Sequence, residues 1–291
     1  MVTVAAAAER QELLVFVARV AARSGRPALS DQHLLALVHD TAGRVARTAR
    51  DDAGRLVGLA QLVPSSESSS LEVVVDPAAD ADEIVPALVT ALPRDAAEIH
   101  WWRSSPTADD ERLATRLGVT ARRRLLQMRR PLPTGQRAGV TTRSFVPGVD
   151  DDAWLAVNNR AFAGHPEQAG WTRADLAQRQ AEAWFDPGGF LLHERAGRLA
   201  AFCWTKLHEN TDPVLGEIYV IGVDPDFQGL GLGRALTLAG LDSIAARGVD
   251  VGMLHVDEEN RAAVRLYGAL GFEVHHADVA YTLPSRPSGE G

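Results

Sequence analysis

The stretch Val223-Asp224-Pro225-Asp226-Phe227-Gln228-Gly229-Leu230-Gly231-Leu232-Gly233-Arg234 decides the fold. The apolar run 217–223 that leads into it reads as a strand, and the pattern over 235–246 that follows reads as a helix. Glycines at 229, 231 and 233 let the backbone turn tightly and approach a ligand closely. At a helix N-terminus the unpaired amides and the helix dipole then favour a phosphate. Arg234 adds charge-assisted hydrogen bonds. Two other glycine-rich loops are excluded. No Gly-Lys-Ser/Thr follows, as a Walker A loop requires. The spacing is Gly-x-Gly-x-Gly, not the Gly-x-Gly-x-x-Gly of a dinucleotide fold.

Outward from this loop, the chain repeats itself. Gly54-Arg55-Leu56 matches Gly197-Arg198-Leu199, Val75-Asp76-Pro77 matches Val223-Asp224-Pro225, and Leu117-Gly118-Val119 matches Leu270-Gly271-Phe272. The order is kept at offsets of 143, 148 and 153 residues, so two copies of one domain are expected. Pro131-Leu132-Pro133-Thr134-Gly135 reads as the linker, which places the domains at 1–138 and 139–291. Each copy opens with helices, at 10–23 and 29–38, then at 151–162 and 173–184. Ser30 and Thr172 stand where N-caps belong. Hairpins follow, turning at Asp52-Ala53-Gly54 and at Ala196-Gly197. A strand, helix, strand, helix and last strand complete each copy, an α/β pattern with a mixed sheet.

Composition agrees. A chain of 291 residues exceeds the roughly 100–200 of one domain. An apolar content of 46% suits globular domains. A net charge of −8 excludes a general nucleic-acid binder, and Arg122-Arg123-Arg124 reads as a solvated face. The single cysteine, Cys203, lies in an apolar run and reads as a buried structural residue. Glu9, Arg10 and Glu12 break any signal-peptide pattern, and no run nears the ~20 apolar residues of a membrane span. A cytoplasmic, monomeric protein without a membrane partner is expected. No metal-ligand cluster stands out, and His165 reads as structural. Trp101 and Trp102 read as packing residues of the first copy. Lys206 is the one lysine among 30 Lys and Arg residues.

The loop resembles the acetyl-CoA pyrophosphate loop of the GCN5-related N-acetyltransferases (GNAT), whose Gln/Arg-x-x-Gly-x-Gly/Ala pattern Gln228, Gly231 and Gly233 meet. Asn260-Arg261-Ala262-Ala263-Val264-Arg265-Leu266-Tyr267, followed by Leu270-Gly271-Phe272, resembles that family's second signature. The resemblance implies two tandem GNAT domains, each a mixed central sheet flanked by helices. It implies acetyl-CoA as co-substrate, held by Ile221, Gly222, Val223 and residues 228–234, with Leu230 and Leu232 among them, and by Asn260, Arg261, Ala262, Ala263, Val264 and Arg265. His165-Pro166-Glu167-Gln168, Trp184-Phe185-Asp186-Pro187, Trp204-Thr205-Lys206 and Gly216-Glu217-Ile218-Tyr219 further resemble the mycothiol synthase family of tandem acetyltransferases. That resemblance implies acetyl transfer to the cysteinyl amine of a cysteine–glucosamine–inositol conjugate, the last step of mycothiol biosynthesis.

Such transfer needs a base for the amine, a donor for the oxyanion and an acid for the leaving thiolate. Glu217 is the expected base, with burial beside a cleft raising its pKa. Tyr267 is the expected acid by resemblance; the bare pattern also allows a core aromatic, since Val264, Tyr267 and Leu270 share a helix face. A backbone amide among Ile221, Gly222 and Val223 is expected at the thioester carbonyl. Asp31, Glu167, Lys206, Glu217 and His255 match acceptor-contacting positions. Asp31 stands where the family has glutamate and His255 where it has tyrosine, which puts both contacts in doubt. In the first copy the loop reads Asp80-Ala81-Asp82-Glu83, acids that repel a pyrophosphate, and no counterpart of Tyr267 exists. That copy is expected to be inactive, a poor CoA binder, and one wall of the acceptor cleft. The alternatives are transfer to another small amine, such as an aminoglycoside or polyamine, and a non-catalytic acyl-CoA sensor.

Overall fold

A computed structural model describes residues 2–6, 9–25, 27–64, 68–93, 98–165 and 168–283. The chain forms two compact units, Met1–Arg124 with Ala277–Gly291, and Leu125–His276. The first contains β1 (Thr3–Ala6), α1 (Arg10–Ser24), α2 (Asp31–Val38), β2 (Val45–Arg50), β3 (Leu56–Pro64) and β4 (Ser68–Val75). It continues with α3 (Ala81–Thr90), β5 (Glu98–Ser104) and α4 (Ala108–Leu117). Strand β6 (Thr120–Pro131) leads into the second unit, which contains β7 (Arg143–Ser144), α5 (Asp151–Ala161), α6 (Arg173–Gln180), β8 (Phe190–Arg195) and β9 (Arg198–His208). There follow β10 (Leu215–Val223), α7 (Leu232–Ala246), β11 (Val251–Asp257) and α8 (Arg261–Ala269). Strand β12 (Glu273–Leu283) returns the chain to the first unit.

Each unit is an α/β fold on a mixed sheet. The strand order is β1-β2-β3-β4-β5-β12 in the first and β6-β11-β10-β9-β8-β7 in the second. The parallel pairs are β4–β5 and β10–β11. The repeat is visible in detail. Asp76 takes Arg23 of α1 at 2.8 Å, and Asp224 takes Arg160 of α5 at 3.2 Å. Each Val-Asp-Pro turn is thus tied to the helix that opens its own copy. Ser30 accepts from the His33 amide, and Thr172 makes a capping box with Asp175, as the sequence suggests.

The units do not divide at a single cut near residue 138. The segment 125–131 pairs along its whole length with β11 of the second unit. Residues 278–283 pair with β5 of the first, and Val279, Tyr281 and Leu283 complete that unit's core. Each sheet therefore takes its final strand from beyond its own stretch of sequence.

In the second unit the two sheet faces differ. One carries Trp204, Phe202, Val220 and partly buried Tyr219 in an aromatic core with Trp154 of α5. The other is covered by α7 at very short range, and glycine permits it. A Cβ on Gly216 would lie 2.1 Å from Ile244 Cγ2, and one on Gly240 2.5 Å from Cys203 Sγ. Gly216→Ala is expected to cost about 1–3 kcal/mol through overpacking, read as an earlier urea midpoint. An unchanged midpoint would show that α7 shifts without cost. Cys203 is fully buried here, and burial pushes its thiol up to about 12, so it is inert packing. Among the described residues no helix is long and apolar enough to cross a membrane.

Candidate functional site

Asp224 builds the approach to the glycine loop. Its buried carboxylate accepts from the Asp226 amide and pairs with Arg160, which also takes Asp226 at 3.0 Å. The chain makes one short 3₁₀ turn at Pro225–Phe227 and then turns back through Gly229 and Gly231, at φ +77° and +76°. Left-handed backbone of this kind favours glycine. Helix α7 begins at Leu232, three residues before the expected start, with Gly231 as its N-cap. Leu232, Gly233 and Arg234 are therefore its first turn. Among the described residues no protein group accepts from the amides of Gly231 to Arg234. Orphan N–H groups at a dipole's positive end suit a pyrophosphate. Arg234 is exposed and donates to Gln136 Oε1. Gln228, Gly229 and Leu230 form the exposed loop before it.

The strand ahead of the loop is splayed from its parallel neighbour. Strand β10 pairs with β11 only at Gly216, Glu217 and Ile218, opposite Gly252, Met253 and Leu254. Beyond that, β11 continues against β6 and β10 continues against β9, with a bulge between Ile218 and Val220. Alternate amides of the segment holding Ile221, Gly222 and Val223 face the opened edge, because strand N–H groups point alternately to the two sides. Gly222 is required here, since a Cβ would lie 2.7 Å from the Phe202 ring.

Glu217 sits within this short paired stretch, one residue before it ends, and is 7% exposed. Its Oε2 is 2.8 Å from His208 Nε2 and its Oε1 is 3.0 Å from His255 Nδ1. Burial alone raises a carboxyl pKa, which is the sequence expectation. The two imidazole hydrogen bonds overcome burial and hold this carboxyl well below the usual range, so it is ionised. His255 thus serves Glu217, and its other nitrogen lies 3.3 Å from Gln127 Nε2. Each histidine turns one ring nitrogen onto Glu217, and among the described residues no group of three or more His, Cys, Asp or Glu could hold a metal ion. Lys206 lies opposite Glu217 in the register and is 5% exposed. Its ammonium stands 4.5 Å from the Trp184 ring centre and 5.6 Å from that of Tyr219, a cation–π arrangement.

On α8, Asn260 is the N-cap and accepts from the Ala263 amide. Arg261 to Arg265 make the first turns, with Arg261, Ala262 and Arg265 exposed and Ala263 and Val264 partly buried. Tyr267 is buried against Phe272, and burial pushes its phenol up to about 12. Its hydroxyl has no hydrogen-bond partner among the described residues.

The remaining expectations separate. Asp31 opens α2 in the first unit, whose Trp101 is fully buried in the core. Glu167 lies outside the described residues. His165 accepts from the Gln168 amide at 3.1 Å. In the first unit Asp80 caps α3 by accepting from the Asp82 amide, so a side chain already serves the helix end that a phosphate would need. The sequence reading missed His208, although Lys206 and His208 at i and i+2 share one face of a strand. Gln127 escapes it as well, because a domain boundary at residue 138 puts the segment 125–131 in the first copy, whereas that segment pairs with β11.

The chain matches the acetyltransferase (GNAT) family model over residues 154–272. It is 46% identical to a mycothiol acetyltransferase of Thermobispora bispora, over 93% of this chain and 95% of that one. It is 45% identical to a mycothiol acetyltransferase of Thermomonospora curvata, over 94% and 93%. Among solved structures, a GCN5-related N-acetyltransferase from Sphaerobacter thermophilus superposes with a TM-score of 0.70 at 21% identity, over 100% of this chain and 98% of that one. A tandem GNAT protein from the clavulanic acid biosynthesis pathway gives 0.69 at 17%, over 99% and 100%. These two share the fold. With the sequence identity extending along nearly its whole length, the chain belongs to the mycothiol acetyltransferase family and is an acyltransferase of the GNAT type.

Proposed function

We propose that the chain transfers the acetyl group of acetyl-CoA to the cysteinyl amine of a cysteine–glucosamine–inositol conjugate, completing mycothiol. The observation that carries this reading is the near full-length identity to mycothiol acetyltransferases. An acyl-CoA co-substrate and a small-molecule acceptor follow from the family. The open amides of Gly231 to Arg234 suit the pyrophosphate, and the splay between β10 and β11 suits the pantetheine arm and thioester. The base centre is Glu217 with its two imidazoles. Lys206 and His255 border the acceptor.

The reaction needs four linked events. The acceptor ammonium gives one proton to the base centre. The freed nitrogen pair bonds to the thioester carbon, and the carbonyl pair moves to oxygen, where an opened-edge amide of β10 stabilises it. Collapse restores the carbonyl and breaks the C–S bond. The Tyr267 hydroxyl protonates the departing thiolate, and the nitrogen's second proton returns to the phenolate through solvent. A phenol held near 12 stays protonated at neutral pH, as an acid must. Tyr267→Phe is expected to lower kcat about 100-fold with acetyl-CoA affinity unchanged. A full rate in that variant would move the acid elsewhere. For the first unit we propose no catalysis, because Asp80 fills the place of the phosphate site and no tyrosine matches Tyr267.

The deciding experiment is acetyl transfer followed by mass spectrometry. The acceptor conjugate, with its thiol protected, is compared with aminoglycosides and spermidine. Acetylation of the cysteinyl amine alone is expected. Turnover on another amine only would keep the acyltransferase and change its acceptor.

A further inference from the structure

The hydrogen bonds around Glu217 treat its two histidines differently. Arg129 donates from Nε to Gln127 Oε1 at 2.8 Å, and a guanidinium has no acceptor. The Gln127 amide is therefore turned with its nitrogen toward His255 Nε2. An amide nitrogen only donates, so His255 Nε2 presents a lone pair and the ring proton sits on Nδ1. That proton is donated to Glu217 Oε1. His255 is thus a neutral donor whose accepting nitrogen is occupied. His208 is the opposite case. Its Nε2 donates to Glu217 Oε2, which leaves the lone pair on Nδ1. Among the described residues that Nδ1 has no hydrogen-bond partner, and the side chain is 21% exposed.

A carboxylate that orients an imidazole and fixes its tautomer while the ring takes the proton is a recurring catalytic device. We propose that His208 Nδ1 accepts the proton lost by the attacking amine, and that Glu217 positions the His208 ring in its Nε2–H form. The assignment rests on the acetyl-transfer reading above. In the step itself, the ammonium N–H bond breaks, the proton bonds to Nδ1, and the nitrogen pair attacks the thioester carbon. The imidazolium returns its proton to solvent after product leaves. Glu217, already ionised and satisfied by two donors, is a poor final acceptor. His208 is a catalytic residue on this view and Glu217 a positioning residue.

The full-length His208→Gln variant tests this. Glutamine can still donate to Glu217 but supplies no basic nitrogen. The expected result is a kcat at least about 100-fold lower, unchanged acetyl-CoA affinity and unchanged melting temperature, with part of the rate restored by added imidazole. Wild-type kcat in the variant, or no restoration by imidazole, overturns the assignment while acetyl transfer by the unmodified protein stands. No transfer to any amine by the unmodified protein overturns the acetyl-transfer reading and this assignment with it. A second measurement needs no turnover. Imidazole ¹⁵N shifts of the wild-type protein should show His208 protonated at Nε2 and bare at Nδ1. The reverse tautomer overturns the proposal.

Discussion

Replacing Glu217 by glutamine is expected to lower kcat by about 10²- to 10⁴-fold while acetyl-CoA affinity changes little. Both carboxylate oxygens accept from imidazoles in the native site. Glutamine offers one oxygen and one NH₂, so it can accept from only one ring. The other ring meets a donor and must turn or change tautomer. Single-turnover rates with saturating acetyl-CoA, beside calorimetric binding, read the two effects separately. Wild-type rates across the pH range would remove Glu217 from the proton path. Stability gives an independent readout with a definite sign. The folded carboxyl lies below its ordinary value of 4.5, so its stabilising contribution is present above that value and is lost as pH falls further. On acidification the wild type should lose stability relative to Glu217→Gln. The same acid slope in both would mean that the histidines do not hold the carboxylate.

Local chemistry made much of this molecule legible. The glycine loop between a strand and a helix is a short-range feature, and it stands as read, with α7 beginning one turn early. The hairpin turn at Ala196-Gly197, left-handed at both residues, follows from the same kind of reasoning. What could not be read depends on distant pairing. The segment 125–131 reads Leu-Leu-Gln-Met-Arg-Arg-Pro, too irregular an apolar pattern to assign it to either sheet, and only the folded structure shows that β11 takes it. That one ambiguity hid Gln127 and Arg129, and with them the tautomer of His255. The lowered pKa of Glu217 is hidden from the sequence for a related reason. Burial is visible in a strand pattern, but the two imidazoles come from β9 and β11, and their aim at one carboxylate is a property of register.

Gly231→Glu is expected to reduce acetyl-CoA affinity at least about 100-fold, or roughly 2.8 kcal/mol. Two causes act together. The backbone at this N-cap is left-handed, with φ +76° and ψ 8°, which costs a side-chain-bearing residue about 1–2 kcal/mol. The added carboxylate also lies at the open amides of the first turn of α7, where it repels phosphate and can itself accept from them. In the first unit a native carboxylate occupies such a helix end, since Asp80 caps α3 by accepting from the Asp82 amide. Gly231→Ala separates the causes. Alanine carries the backbone cost without the charge, so it should lose less affinity than glutamate. Its loss should also depend little on salt, whereas the glutamate variant recovers partly as ionic strength rises and screens the repulsion. Calorimetry with acetyl-CoA, beside circular dichroism to show an intact fold, distinguishes them. Equal losses in the two variants would make backbone shape the whole effect. Unchanged affinity in Gly231→Glu would mean that the pyrophosphate binds away from α7, and the site built on this loop would have to be abandoned.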